Sequence, residues 1–320
     1  MEEKQIRKIL RRHISPLGWS LVVYYLIMNV LVMLTMTLDS LGTALEAVAA
    51  GGHTNPGLLM EQTTQNAWGY LLTIAVGLTV LLAWKGWDFF RDEIFARSQR
   101  MTFPVFLGIA CIFLGCQVGV SLYASILEAI LNAAGLSAMA ALEAATIQQN
   151  TLSMFLYASL GAPIAEELLF RGFIQRSLLP LGKKFAIFGS ALLFGLFHGN
   201  LVQTPYAFLV GLVLGYVTAE YSVWWAILLH MINNMFMADL LPRLLSLLPG
   251  AAGDAVMGLV VLAFAIAGLV ILIVKRREVK AYITGECMDR RCVRAFFTNS
   301  GVIVMTVLMF VNMLLMVTPV

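Results

Sequence analysis

Residues 151–179 read TLSMFLYASLGAPIAEELLFRGFIQRSLL, an apolar run of membrane-crossing length that carries Glu166, Glu167 and Arg171 in its interior. At about 1.5 Å of rise per residue, a hydrocarbon core of roughly 30 Å takes about 20 residues of helix. An ionised side chain at that depth costs roughly 2.5–3.5 kcal/mol even on the lenient insertion scale, and neighbouring carboxylates also repel. A helix sustains such a pair where the carboxylates face a protein-lined or water-filled cavity. The stretch therefore predicts two things at once, a membrane helix and a polar site buried within it.

The flanking sequence is of the same kind. Upstream lie the apolar segments Leu17–Leu38, Trp68–Trp84 and Phe103–Leu131. Downstream lie Phe185–Gly199, Pro205–Ala219, Val223–Leu241, Ala255–Val274 and Ser300–Val317. Of the 320 residues, 60% are hydrophobic and 12% charged, about half the charge fraction of a soluble domain. The expected fold is an all-α, polytopic transmembrane bundle of about eight or nine spans, the last of which could instead lie in the interface. Phe185–Gly199 and Pro205–Ala219 are short for spans, and Phe103–Leu131 is long enough to tilt or protrude. No repeat and no Pro/Ser-rich linker divides the chain. Three regions are expected in one body: 1–150 with a basic N-terminus and three helices, a catalytic core at 151–241, and C-terminal helices with a basic loop at 242–320.

Basic residues fall in groups. Lys4, Arg7, Lys8, Arg11 and Arg12 begin the chain. Lys85, Arg91, Arg97 and Arg100 form a second group, followed by Lys183 and Lys184. A third runs from Lys275, Arg276, Arg277 and Lys280 to Arg290, Arg291 and Arg294. Under the positive-inside rule these groups place the N-terminus in the cytoplasm and leave Arg243 outside. Leu17–Leu38 is too long for a signal h-region and reads as an uncleaved anchor. A bacterial or archaeal cytoplasmic membrane fits this loop-poor construction, and no nucleic-acid partner is expected. Cys111, Cys116, Cys287 and Cys292 read as reduced structural thiols, because no partners for a zinc site stand near the last two. Trp68, Trp84, Trp87, Trp224 and Trp225 sit at span ends as interfacial anchors do. The pairs Gly195/Gly199 and Gly211/Gly215 have the spacing of close helix contacts.

Three spans contribute polar faces at helical spacing. Arg171 is four residues after Glu167 and can neutralise it, whereas Glu166 is rotated about 100° away. Phe194 and His198 share a face, as do His230 and Asn234. Each motif alone has a structural explanation: an ion pair that lets the helix insert, a satisfied core histidine, an amide that glues helices. Together, on near-consecutive spans, they point to one interior site.

The pattern Glu166-Glu167-x-x-x-Arg171, Phe194-x-x-x-His198 and His230-x-x-x-Asn234 resembles the CPBP intramembrane proteases, also called the Abi or CAAX-protease family, which includes the type II CAAX prenyl endopeptidases. The resemblance covers roughly 151–241. It implies hydrolysis of a peptide bond in a membrane-associated peptide or protein held at the lipid bilayer. Glu166, helped by His198, would activate water as general base. His230 and Asn234 would donate to the developing oxyanion. Glu167 and Arg171 would orient the site, and Phe194 would pack beneath His198. No cofactor is required on this reading. A zinc alternative would use Glu166, Glu167, His198 and His230, although no His-Glu-x-x-His helix is present. A non-proteolytic immunity or scaffold protein is the other alternative. A proton relay or transporter ranks lower, since no inverted repeat or broken-helix pair appears.

Overall fold

The computed structural model describes residues 3–49, 66–138, 151–285 and 288–320. Eleven helical stretches carry the described chain: α1 Glu3–Ala49, α2 Trp68–Lys85, α3 Phe103–Ala133, α4 Leu152–Leu181, α5 Lys183–Phe197, α6 Gln203–Glu220, α7 (223–245), α8 Ala252–Val274, α9 Arg276–Thr284, α10 Arg290–Phe297 and α11 Ser300–Leu315. A short π-helical turn, Phe89–Ile94, follows α2. Among the described residues, extended structure is confined to β1 Leu136–Ser137 and β2 Thr318–Pro319, which pair antiparallel with Leu136 opposite Pro319. The protein is an all-α membrane bundle.

All nine apolar segments fall on helices, but these helices differ in kind. Five are long and apolar enough to cross a membrane alone: α1 from Ile14 onward, α2, α3, α4 and α8. A sixth span results if α10 and α11, bent by 58° at their junction, act together. A count of eight or nine therefore depends on α5, α6 and α7, which are too short or too polar to qualify alone. Helix α5 has 15 residues and rises about 22 Å, less than the hydrocarbon thickness. His198 directly follows α5, and α7 holds His230 and Asn234.

Local sequence explains the ends. Thr102 is extended before α3, with Pro104 in the first turn, where a missing N–H costs nothing. The Thr151 hydroxyl accepts from Met154 N at the start of α4. Asn299 caps α11, its Oδ1 accepting from Gly301 N at 3.0 Å and Val302 N at 3.3 Å. Beyond α5 the chain turns through Gly199 at φ +55°, and Asn200 Oδ1 accepts from Val202 N at 2.8 Å to launch α6. Helices α4 and α7 are irregular within: Leu156–Gly161 and Glu167–Gln175 in α4, and Ile232–Leu240 in α7, are π-helical. Such segments are rare and concentrate at functional sites.

One buried apolar cluster extends from Leu10 and Ile14 in α1 through Phe170, Phe173 and Leu193 to Met305 and Met309 in α11. The outer helices turn large apolar side chains outward, among them Leu26, Val30 and Leu34 of α1 and Leu259 and Ile266 of α8. That is the surface lipid requires. Trp68, Trp84, Trp87 and Trp224 are exposed as anchors would be. Trp225 is instead turned against Phe106, with ring centroids 5.2 Å apart. Cys111, Cys116 and Cys292 are free thiols, and Cys287 lies outside the described residues. At the end of the bundle marked by Lys183, Glu220 accepts from Lys183 Nζ at 2.8 Å and Tyr282 Oη at 2.9 Å, tying α9 to the core.

Helices α1 and α11 cross backbone to backbone. A Cβ on Gly301 would lie 2.6 Å from Trp19 N, while one on Gly42 would meet nothing within 4 Å. Gly301→Val should therefore lower stability by at least about 1–3 kcal/mol, the usual cost of overpacking. Gly42→Ala should be neutral or stabilising by up to about 1 kcal/mol through helix propensity. Thermal unfolding of the two variants in detergent checks the contrast.

Candidate active site

The site is built on α4. Glu167 and Arg171 are both fully buried, with Arg171 Nε 3.2 Å from Glu167 Oε2. The approach is off the hydrogen-bonding direction, so neither atom counts as satisfied, and attraction of opposite charges holds the pair. Arg171 Nη2 donates to Gly211 O at 3.3 Å. Its guanidinium carbon lies 4.1 Å from the centre of the Phe194 ring, a cation–π contact that strengthens where water is excluded. One turn further along α4, Gln175 Nε2 donates to Gly215 O at 2.8 Å. The Gly211/Gly215 pair read as a packing motif thus has a sharper purpose. Glycine bares the α6 carbonyls to two polar side chains of α4, and a Cβ on Gly211 would sit 3.2 Å from both Arg171 Nη2 and Phe194 Cδ1.

His230 joins the two glutamates. Its Nδ1 is 2.9 Å from Glu167 Oε1, and its Nε2 is 3.9 Å from Glu166 Oε2. A carboxylate accepts, so Nδ1 carries the hydrogen in the first contact. Among the described residues, the histidine within ion-pair distance of Glu166 is His230. His198 lies just beyond the last residue of α5. Its Nδ1 is 2.8 Å from Phe194 O; a carbonyl only accepts, which puts the hydrogen on Nδ1 and, in the neutral ring, the lone pair on Nε2. Phe194 meets the His198 ring edge-on at 4.8 Å and the His230 ring at 6.0 Å. The phenyl ring is therefore shared by Arg171 and both histidines.

Asn234 is not a free donor. Its Nδ2 donates to Ala158 O at 3.1 Å, linking α7 to α4, so one N–H of the two remains. Beside it, Asn233 is a node that spacing did not single out. Asn233 Oδ1 accepts from Gln117 Nε2 and from Tyr206 Oη, each at 3.0 Å, and its Nδ2 donates to Asn234 Oδ1 at 3.0 Å. The signals available were the Asn233–Asn234 doublet and a lone glutamine in the apolar α3. The widened helix of Ile232–Leu240 sets where both amides point, and no residue pattern announces that widening.

Glu166 is only partly buried, its side chain 29% exposed. It opens into a cavity of about 30 Å³ lined also by Tyr24, Tyr70, Thr73, Tyr157 and Phe197. Among the described residues no group of three or more His, Cys, Asp or Glu side chains is placed to hold a metal ion. Glu167 is already engaged by Arg171 and His230, and His198 Nδ1 by a carbonyl.

The buried pair sets a stability test. Removing one partner of a buried pair typically costs about 3–5 kcal/mol, because the other charge is left uncompensated. Arg171→Met should lose that much in denaturant unfolding, and the double variant Glu167→Gln/Arg171→Met should recover a large part of it.

Comparison with curated proteins and with solved structures yields no match. A protein-family model described as Type II CAAX prenyl endopeptidase Rce1-like matches residues 148–236. That interval contains Glu166, Glu167, Arg171, Phe194, His198, His230 and Asn234, and leaves α1–α3 and α8–α11 outside it. Over residues 148–236 the chain is similar to the type II CAAX prenyl endopeptidases, within the protease family that its three motifs resemble.

Proposed function

We propose that the protein is an intramembrane endopeptidase that hydrolyses a peptide bond of a membrane-associated, CAAX-like, lipidated or leader peptide, with Glu166 activating the attacking water. The observation that carries the reading is the asymmetry of the two glutamates. Glu167 is buried between Arg171 and His230, whereas Glu166 is partly exposed and opens into a cavity. One carboxylate is compensated and fixed; the other is accessible to water and substrate.

In the proposed reaction Glu166 takes a proton from water as the oxygen bonds to the carbonyl carbon. His230, held by Glu167, stands 3.9 Å from Glu166 and steadies the charge there. The remaining N–H of Asn234 is the donor for the developing oxyanion. His198, its Nδ1 held by Phe194 O, offers Nε2 as a second proton acceptor. When the intermediate collapses, the C–N bond breaks and the proton passes from Glu166 to the leaving amine. Exclusion of water strengthens each of these electrostatic contacts. The protein would act in a bacterial or archaeal cytoplasmic membrane with its N-terminus inside, following its basic clusters. The mechanism draws on no metal.

Wild type and Glu166→Gln in proteoliposomes, given prenylated and non-prenylated CAAX peptides and a leader peptide, decide the reading by mass spectrometry of the products. Wild type should release a fragment, and the variant should fall by at least roughly 10²-fold, the lower range for loss of a general base. Equal release by the variant, or none by wild type, would count against it. Activity should survive exhaustive chelation. Loss that stoichiometric zinc restores would overturn the metal-free mechanism while leaving peptide hydrolysis in place.

A further inference from the structure

The cavity at Glu166 is walled in part by helices that lie outside the protease-like segment. Tyr24 comes from α1, Tyr70 and Thr73 from α2, and Tyr157 from α4. Its volume of about 30 Å³ gives room for a water molecule, which needs at least roughly 10–15 Å³ and two to four polar partners. Each tyrosine ring is fixed by packing. Tyr70 and Tyr157 stack with centroids 4.8 Å apart. Tyr24 lies 6.0 Å from Phe197, the residue before His198, and its ring covers Gly77 of α2, where any Cβ would collide with it. Among the described residues no protein group engages these three hydroxyls. Thr73, by contrast, already donates to Gly69 O at 2.9 Å.

A phenolic hydroxyl both donates and accepts, whereas an ionised carboxylate only accepts. Glu166 alone cannot orient a water oxygen, because it binds the water through hydrogen and leaves the lone pairs undirected. Donors on the opposite wall supply the missing direction. Resting on the hydrolase reading above, we propose that the hydroxyls of Tyr24, Tyr70 and Tyr157 position the attacking water against Glu166: one accepts its second hydrogen, one donates to a single lone pair, and the other lone pair is left for the carbonyl carbon. The nucleophile-positioning half of the site is thus supplied mainly by α1 and α2. The protease-like segment supplies the base and Tyr157. Asn234 joins the same construction through its bond to Ala158 O, which fixes the backbone beside Tyr157.

Phenylalanine substitutions remove the hydroxyls and keep the rings. The triple variant Tyr24→Phe/Tyr70→Phe/Tyr157→Phe, as full-length protein in proteoliposomes, should lose about 10²-fold in kcat, the scale on which misplacing a reacting group acts. KM for the prenylated CAAX peptide should stay within about twofold, since uniform substrate binding is untouched. Tyr25→Phe, whose ring packs on Phe197 at 6.0 Å outside the cavity lining, should be unaffected. A high-resolution map of wild type should show water within hydrogen-bonding distance of Glu166 and at least two tyrosine hydroxyls, and the triple variant should lose it. Wild-type kcat in the triple variant, with Glu166→Gln inactive, would overturn this inference and leave the hydrolase reading standing. Cleavage by Glu166→Gln at the wild-type rate would remove Glu166 as the base, and this inference with it, while leaving peptide hydrolysis in place. A wild-type map with water on Glu166 alone would overturn the inference whatever the kinetics.

Discussion

The neutralisation of Glu167 is the constraint around which this bundle is organised. A carboxylate with no solvent exposure is sustained only by charge and hydrogen bonds supplied from the protein, and here they arrive from two directions. Arg171 comes from the same helix, four residues on, and His230 from α7. Arg171 in turn has to be accommodated, by the Phe194 face and the bared carbonyl of Gly211. One buried negative charge therefore fixes the relative placement of α4, α5, α6 and α7. The short or polar helices that could not cross a bilayer alone are held by this requirement as much as by apolar packing.

The same arrangement separates the roles of adjacent residues. Glu166 and Glu167 are consecutive, yet one is sealed and the other is open to a cavity. Buried polar groups with their partners in place rigidify a site. The chain Gln117/Tyr206–Asn233–Asn234–Ala158 does this on the far side, pinning α7 to α3, α6 and α4. The site is framed by polar contacts in a protein whose long helices α1, α3 and α8 turn large apolar side chains outward. This is economical in a membrane, where polar groups gain nothing on the lipid side.

Much of this was legible in residues 151–241. Helical spacing paired Glu167 with Arg171, stacked Phe194 with His198, and marked His230 and Asn234 as neighbours on one face. Spacing within a helix is local geometry, so a sequence displays it. It could not assign partners between helices. That His230 approaches both Glu166 and Glu167 is set by the packing of α7 against α4, which nothing along the chain displays. The acceptor of Asn234 could not be named because Ala158 O is a backbone atom with no signature. Tyr24 and Tyr70 stand in no motif and lie more than 90 residues from Glu166, and the packing of α1 and α2 near α4 brings them to it.

The sequence by itself determined that the chain is a helical membrane protein, that its polar residues fall on three neighbouring segments, and which protease family they resemble. Apolar length and helical periodicity are properties of consecutive residues, so no fold is needed to read them. Tertiary structure alone decided which histidine meets which glutamate, where the helices widen, and which distant tyrosines wall the cavity. Those outcomes depend on the rotation of each helix about its axis. Close contacts at Gly18, Gly211 and Gly301 and the buried charge at Glu167 set that rotation through space rather than along the chain.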